Sequence, residues 1–196
     1  MSDPSISWPA RAVALIASLG SKQALTYAMG KPAMKPHAGF WLATLGINAA
    51  WLLAILGRDR VNAVLLAGAV LALIFTPAHR RRWALLTALT GILMDSLWNY
   101  AGVLHFSGHN LLPLWMVALW LAFGCWWFWL LDLIKAAPLP LAVLGSIAGP
   151  LAGIIGWKLG AIQPGTAPEI MLLLLSVGWA VFLPVVSWPR LNKPAP

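Results

Sequence analysis

Asp95 is the residue of this sequence whose type and position best suit chemistry, because it is an acidic side chain within a long apolar stretch. It lies 13 residues beyond Arg82, which in a helix is about 20 Å and roughly two thirds of a bilayer's hydrocarbon core. An acid at such depth costs about 2.5–3.5 kcal/mol on insertion scales and usually faces the interior of a helix bundle. Asp95 therefore suits ligand binding or proton transfer, and the alternative is that it only accepts hydrogen bonds that fix helix packing.

Two further polar side chains are expected near Asp95. Residues at intervals of four share one face of a helix, and such a series runs Thr87, Gly91, Asp95, Asn99. Lys158 ends a later apolar stretch at a depth similar to that of Asn99. It would either form a salt bridge with Asp95 or extend its amine into the membrane interface. Asp95, Asn99 and Lys158 are therefore candidate ligand-binding residues.

His105 and His109 follow shortly after this stretch, and imidazole is a common metal ligand. Asp95, Asn99 or Glu169 would complete such a site. However, a glycine between the two histidines disfavours helical i, i+4 pairing, and the sequence contains neither an HExxH nor a CxxC pattern. We therefore expect solvated loop histidines and no metal, and we keep both residues as ligand-binding candidates. The sequence leaves the cofactor unknown.

Three glycines at intervals of four, Gly145, Gly149 and Gly153, lie in one apolar segment. Small residues at this spacing let two membrane helices approach closely, so they are predicted to form a helix-packing face. Pro150 lies among them and frees a backbone carbonyl. The alternative is a broken helix that exposes carbonyl groups to a substrate cavity.

Five tryptophans crowd a single apolar segment. Tryptophans near the ends of a span fit the aromatic belt of the membrane interface, whereas a deeper indole N–H needs an acceptor. The deeper ones would either line a pocket for a flat or lipid-like ligand or face the lipid. The five are Trp115, Trp120, Trp126, Trp127 and Trp129.

Composition places the chain in a membrane. Of its 196 residues 61% are hydrophobic and 9% are charged, whereas soluble domains carry about 25% charged residues. Together with a mean hydropathy of +0.82, these values exclude the soluble globular, disordered and fibrous classes. The net charge of +8 does not indicate nucleic-acid binding, because the cations lie at the ends of apolar segments. The single cysteine, Cys125, lies within an apolar run and is expected to be an ordinary buried side chain.

Six apolar segments are long enough to cross a bilayer, which takes about 17–25 helical residues. Short connectors between them predict antiparallel neighbours, so the expected fold is an all-α, polytopic transmembrane helix bundle. The predicted spans are Gly39–Gly57, Val61–Ala78, Trp83–Leu104, Leu111–Leu131, Ala136–Trp157 and Ile170–Trp188.

The residues before the first span are ambiguous. Residues 8–29 contain Arg11 and Lys22 and form either an N-terminal interfacial helix or a seventh span. The expected organisation is an N-terminal extension over residues 1–38, a six-helix membrane domain over residues 39–188 and a Pro-rich cytoplasmic tail over residues 189–196.

Cations are distributed unequally between the two sides of the predicted bundle. Eight lie on one side and three on the other, and the positive-inside rule makes the richer side cytoplasmic. The C-terminus is therefore expected in the cytoplasm. The eight are Lys31, Lys35, Arg80, Arg81, Arg82, Lys135, Arg190 and Lys193, and the three are Arg58, Arg60 and Lys158.

Several short motifs are spread over the last four fifths of the chain. They are Arg80-Arg81-Arg82, Gly91–Leu97 (GILMDSL), Gly102–Phe106 (GVLHF), Pro113–Trp115 (PLW), Leu119-Trp120, Gly149-Pro150 and Lys158–Ala161 (KLGA). With these motifs the chain from Phe40 onward resembles a family of small bacterial inner-membrane proteins catalogued as domain of unknown function 2878. The resemblance implies a six-helix domain in the bacterial inner membrane and brings no established activity.

The function expected from these features is to bind or move a small hydrophobic or lipid-like molecule. A deep acid, a glycine-rich helix and many tryptophans occur without a recognisable catalytic constellation, so whether the protein is an enzyme stays open. One alternative is a membrane subunit that packs against a larger protein complex. Another is a lipid-modifying membrane enzyme that uses Asp95 with His105 or His109. The expected partners are membrane lipids and a protein within the membrane, and no nucleic acid.

Overall fold

The computed structural model describes residues 38–134 and 136–191, so the helix expected within residues 8–29 lies outside the described residues. The described chain is helical almost throughout, as the sequence predicts. The helices are α1 (Ala38–Gly57), α2 (Asn62–Phe75), α3 (Ala78–Tyr100), α4 (Leu114–Leu133), α5 (Pro138–Lys158) and α6 (Pro168–Leu191), with a 3-10 turn at Arg58–Val61 between α1 and α2.

Four helical stretches are long and apolar enough to cross a membrane, which supports a multi-pass membrane protein. α2 has only 14 residues, about 21 Å of helix, and is included because it continues from α1 through the turn. α3 is long enough but less apolar, because arginines occupy its first turns and three polar residues share one face. The count of six spans therefore stays a prediction. The four stretches are Ala38–Phe75, Leu114–Leu133, Pro138–Lys158 and Pro168–Leu191.

The ends of the helices differ from the predicted spans where proline and glycine intervene. α3 begins directly after Pro77 rather than at Trp83, since the ring of proline suits the position before a helix. It ends before Gly102, which has a φ of +69° that glycine adopts readily. α6 continues three residues past the predicted end at Trp188, because Pro189 removes one hydrogen bond without ending the helix.

Two short strands were not expected from the sequence. β1 (Leu104–Phe106) follows α3 and β2 (Ile162–Pro164) follows α5, and they pair antiparallel with His105 opposite Gln163. Three residues are too few to show the alternation by which a strand is recognised. The pair joins the α3–α4 connector to the α5–α6 connector at one end of the bundle, here called the sheet end.

α4 is the central helix, and three of its tryptophans tie it to three other helices. A buried indole N–H needs an acceptor, and each of these finds one on a different neighbour. Trp120 donates to Asp95 Oδ2 on α3 at 2.8 Å, Trp126 to Thr44 Oγ1 on α1 at 2.9 Å, and Trp127 to Ser187 Oγ on α6 at 3.0 Å.

The glycine face of α5 lies against α6. A Cβ atom added to Gly145 would overlap the backbone carbonyl of Trp179, and one added to Gly149 would overlap the Trp179 indole. At Gly153 the added atom would lie 2.6 Å from a methyl carbon of Leu175. The two helices therefore approach more closely than any side chain at these positions would allow.

α5 runs unbroken through Pro150. Proline has no N–H, so the carbonyl of Ser146 lacks its usual donor four residues later. The Ser176 hydroxyl on α6 donates to that carbonyl at 2.8 Å. The freed carbonyl thus strengthens the contact between α5 and α6, and the alternative of a broken helix that offers it to a cavity is not what the structure shows.

An ion triad joins three helices at the end opposite the sheet end, here called the basic end. Asp132 on α4 accepts from Arg80 on α3 at 2.5 Å and from Arg190 on α6 at 3.0 Å. All three side chains are between 16% and 24% exposed, so solvent screens them only in part. The triad therefore holds the ends of α3, α4 and α6 together.

We expect Asp132→Asn to lower the free energy of unfolding by about 1 kcal/mol, because two arginines would lose their shared anion while remaining near each other. Thermal unfolding in detergent measures the difference between variant and wild type. The difference should shrink in 1 M NaCl, since salt screens partly exposed charges. An equal loss at low and high salt would contradict an electrostatic role.

Candidate functional site

A cavity of about 500 Å³ lies among α1, α4, α5 and α6, with Asp95 of α3 in its wall; we call it the Asp95 groove. Its volume falls within the range of about 300–1,000 Å³ common for small-molecule sites. Apolar and aromatic side chains form nearly all of its lining. The aromatic ones are Trp51, Phe106, Trp115, Trp120, Phe123, Trp126 and Trp179.

Asp95 and Trp120 form the polar point of the groove. Thr87, Gly91 and Asp95 are buried on one face of α3, as their spacing of four predicts. Gly91 makes room for Trp120, because a Cβ atom there would overlap the six-membered ring of the indole. The ring can then lie flat on α3, where its N–H reaches the Asp95 carboxyl one turn away.

Neighbouring aromatic rings fix the Trp120 indole. It stacks on Trp179 of α6 with ring centroids 5.6 Å apart. The ring centroids of Phe123 and Phe182 lie 5.5 and 5.3 Å from that of Trp120, in edge-to-face arrangements. Such pairs contribute about 0.5–1.5 kcal/mol each beyond area burial. The donor to Asp95 is therefore held in place before any ligand arrives.

The groove is closed at the sheet end and open at its side. Leu104 and Phe106 of β1 line it and are buried, as is Trp115 at the start of α4. In contrast, Leu151 and Ile155 of α5 line the groove yet are 53% and 40% exposed. The groove therefore opens through an exposed apolar rim on α5.

The other polar candidates lie outside the lining of this groove. The Asn99 side chain donates to the carbonyl of Asn110 at 2.9 Å and lies 3.3 Å from His105 Nδ1. His109 pairs instead with Asp59 in the turn between α1 and α2, at 2.7 Å. The two histidines thus have different partners, and neither is brought to Asp95.

Lys158 is exposed at the sheet end, where its Nζ lies 5.0 Å from the centre of the Trp157 ring. Among the described residues no salt bridge joins it to Asp95. The alternative in which the amine extends into the membrane interface stays a prediction. Within the same residues, no three His, Cys, Asp or Glu side chains cluster in a way that would hold a metal.

Sequence reasoning missed two contributors to the site, Trp179 and Gly91. Trp179 lies in the middle of α6. Tryptophans in membrane spans are common near the ends, at the interface, so the central position of Trp179 was a signal of a different role. The role of Gly91 depends on Trp120, 29 residues later in the chain. No local pattern links the two.

A second cavity of about 470 Å³ is lined by α1, α2 and α4, and it shares Leu119 and Trp126 with the lining of the Asp95 groove. Small residues such as Gly46, Gly68 and Ala72 form much of its lining, and the described part of the chain contributes no charged residue to it. It therefore lacks a polar point comparable to Asp95.

Comparisons with known proteins agree with the resemblance seen in the sequence. Neither a curated protein nor a solved structure shows significant similarity to the chain. A family model does match, over residues 40–185, which include Asp95, Trp120, the glycine face of α5 and Trp179. The chain belongs to the family described as protein of unknown function (DUF2878).

Proposed function

We propose that this protein binds or moves a small hydrophobic or lipid-like molecule in the Asp95 groove. The observation that carries the proposal is an aromatic cavity with an exposed apolar rim, in which the described residues place one carboxyl, held by an indole N–H. Apolar walls would supply affinity, and the carboxyl would orient the ligand. A ligand dissolved in the lipid would enter from the side without crossing a polar surface.

The proposed setting is the bacterial inner membrane, with six spans and a cytoplasmic C-terminus. The alternation of the helices supports this topology, because Arg80, Asp132 and Arg190 meet at one end and the two strands meet at the other. The basic end would be cytoplasmic by the positive-inside rule. Asp95 would then lie in the outer half of the membrane.

A lipid-modifying enzyme that uses His105 or His109 is less well supported. An acid–base partner must come within hydrogen-bond reach of the reacting group. His105 lies by Asn99 and His109 by Asp59, so neither completes a catalytic pair with Asp95. Ligand binding requires only the groove and its carboxyl, whereas catalysis would also require an acid–base partner beside Asp95.

Native mass spectrometry of protein released gently from its own membrane tests the proposal. We expect a small lipid-like molecule to co-purify with the wild type. Ala152→Phe would fill the groove and remove that molecule, since Ala152 lines it. Ala142→Phe is the matched control, because Ala142 lies on the same helix but outside the lining, and it should retain the molecule.

Asp95→Asn provides the second arm of this experiment. A ligand-binding carboxyl predicts a variant that keeps its fold and loses the co-purifying molecule. If Asp95→Asn unfolds while Asp95→Leu restores a folded protein, Asp95 is a packing residue and the proposal fails. A stoichiometric protein in place of a small molecule would transfer support to the membrane-subunit alternative.

A further inference from the structure

We infer that the Asp95 groove selects an amphiphile whose polar head is an ammonium group, paired with the carboxylate oxygen that Trp120 does not bind. This inference rests on the proposed function and specifies its ligand class. The hydrocarbon part of the amphiphile would occupy the apolar length of the groove, and its head would lie beside Asp95.

The charge that lines the groove is negative. Among the described residues, Asp95 is the only charged one in the lining, and none of them contributes a Lys, Arg or His to it. The ion pairs of the described residues lie at the two ends of the bundle, around Asp132 and around Asp59. A buried carboxylate without a cation is strongly unfavourable, so a cationic ligand would supply a partner that the described residues do not.

The hydrogen bonds of Asp95 leave one oxygen for such a ligand. Within the described part of the chain, the side-chain hydrogen bond to this carboxyl comes from Trp120 and goes to Oδ2 at 2.8 Å. An ionised carboxyl has two oxygens that each accept hydrogen bonds. Since Asp95 also lines the cavity, an ammonium N–H can donate to Oδ1.

The aromatic rings favour the same kind of head group. Trp120, Phe123 and Trp179 pack around one another and all line the groove. The faces of aromatic rings attract cations, most strongly when water is excluded. They give no comparable attraction to an anion, which the carboxylate would also repel. The lining therefore discriminates by charge, and a neutral alcohol would gain only a hydrogen bond.

Three probes that share one chain test the inference: dodecylamine, dodecanol and dodecanoate. Purified protein in neutral detergent micelles is titrated with each, and dissociation constants are read from tryptophan fluorescence, because five tryptophans line the groove. Each value is corrected for partition of the probe into protein-free micelles. We expect dodecylamine to bind about tenfold tighter than dodecanol, because a hydrogen bond to a charged partner is the stronger kind, and dodecanoate to bind weakest.

Asp95→Asn should abolish the preference for the amine while dodecanol binding persists, which also shows that the variant is folded. Asp59→Asn is the matched control, because it removes the same charge outside the groove, and it should keep the preference. Equal binding of amine and alcohol to the wild type would overturn the inference, whether or not Asp95→Asn folds. An unchanged preference in a folded Asp95→Asn would overturn it as well.

The outcomes separate this inference from the proposed function. If all three probes bind equally and Ala152→Phe blocks them, the groove binds hydrophobic molecules and only the ammonium inference fails. If none of the probes binds, both fail. A dodecanoyl lysophosphatidylethanolamine probe distinguishes the two sources of an ammonium head: binding indicates a membrane lipid, and rejection alongside dodecylamine binding indicates a free amine.

Discussion

Gly145→Ala should destabilise the protein severely, while Gly68→Ala should leave it as stable as the wild type or slightly more so. The two substitutions add the same methyl group to the middle of an apolar helix. At Gly145 that methyl group would overlap the backbone carbonyl of Trp179, which cannot rotate away. At Gly68 it would meet no atom within 4 Å, and alanine favours a helix over glycine by about 1 kcal/mol.

The expected loss at Gly145 is about 3 kcal/mol or more, because α5 and α6 must separate and their side chains repack. For a chain of this length, that corresponds to a fall in the thermal midpoint of roughly 6–12 °C. Fluorescence-detected size-exclusion chromatography after heating measures both variants. A Gly145→Ala protein that unfolds with the wild type would mean that the two helices are farther apart than the structure places them.

Separation of the helices would also disturb Ser176 and Ser146, whose hydrogen bond compensates for Pro150. A protein that depends on this bond should lose it when the helices move apart. The effect of Gly145→Ala is therefore expected to exceed that of Gly153→Ala, whose methyl group would lie 2.6 Å from the flexible side chain of Leu175.

Composition and segment length were sufficient to predict a helical membrane protein, because long apolar runs have few other stable forms in lipid. They did not locate the helix ends, since Pro77 and Gly102 act through local backbone geometry rather than hydropathy. They also missed β1 and β2, which pair residues as far apart in the chain as His105 and Gln163, 58 residues later.

The same contrast holds at the candidate site. Asp95 is identifiable from the sequence alone, because a charge within an apolar run is costly and therefore informative. Asn99 was grouped with it by the spacing of four, His105 by closeness in the chain and Lys158 by similar depth. None of these specifies which side chains meet. In the structure, Asn99 lies beside His105, and Asp95 accepts a hydrogen bond from Trp120. Partners on different helices follow from packing, which periodicity does not encode.

Gly91 and Trp120 should behave as one unit in a double-mutant cycle. Gly91→Ala alone is expected to destabilise the protein by about 1–3 kcal/mol, because the new methyl group displaces the indole. Trp120→Leu alone should lose about 2–4 kcal/mol, since it leaves a cavity among Trp179, Phe123 and Asp95. Both single variants should also bind the proposed ligand more weakly, because the donor to the Asp95 carboxyl is moved or removed.

In the double variant the methyl group of Ala at position 91 has no indole to displace, so the two losses should not add. We expect a coupling free energy of about 1–3 kcal/mol in favour of the double variant, as is found for residues in direct contact. Thermal unfolding of the four proteins in one detergent measures it. Additive losses would mean that Trp120 does not lie on Gly91, and the Asp95 groove would then lack its fixed donor. A clear coupling would show that a glycine on α3 sets the position of the ring that orients Asp95, and that the polar point of the groove is built from packing between two helices.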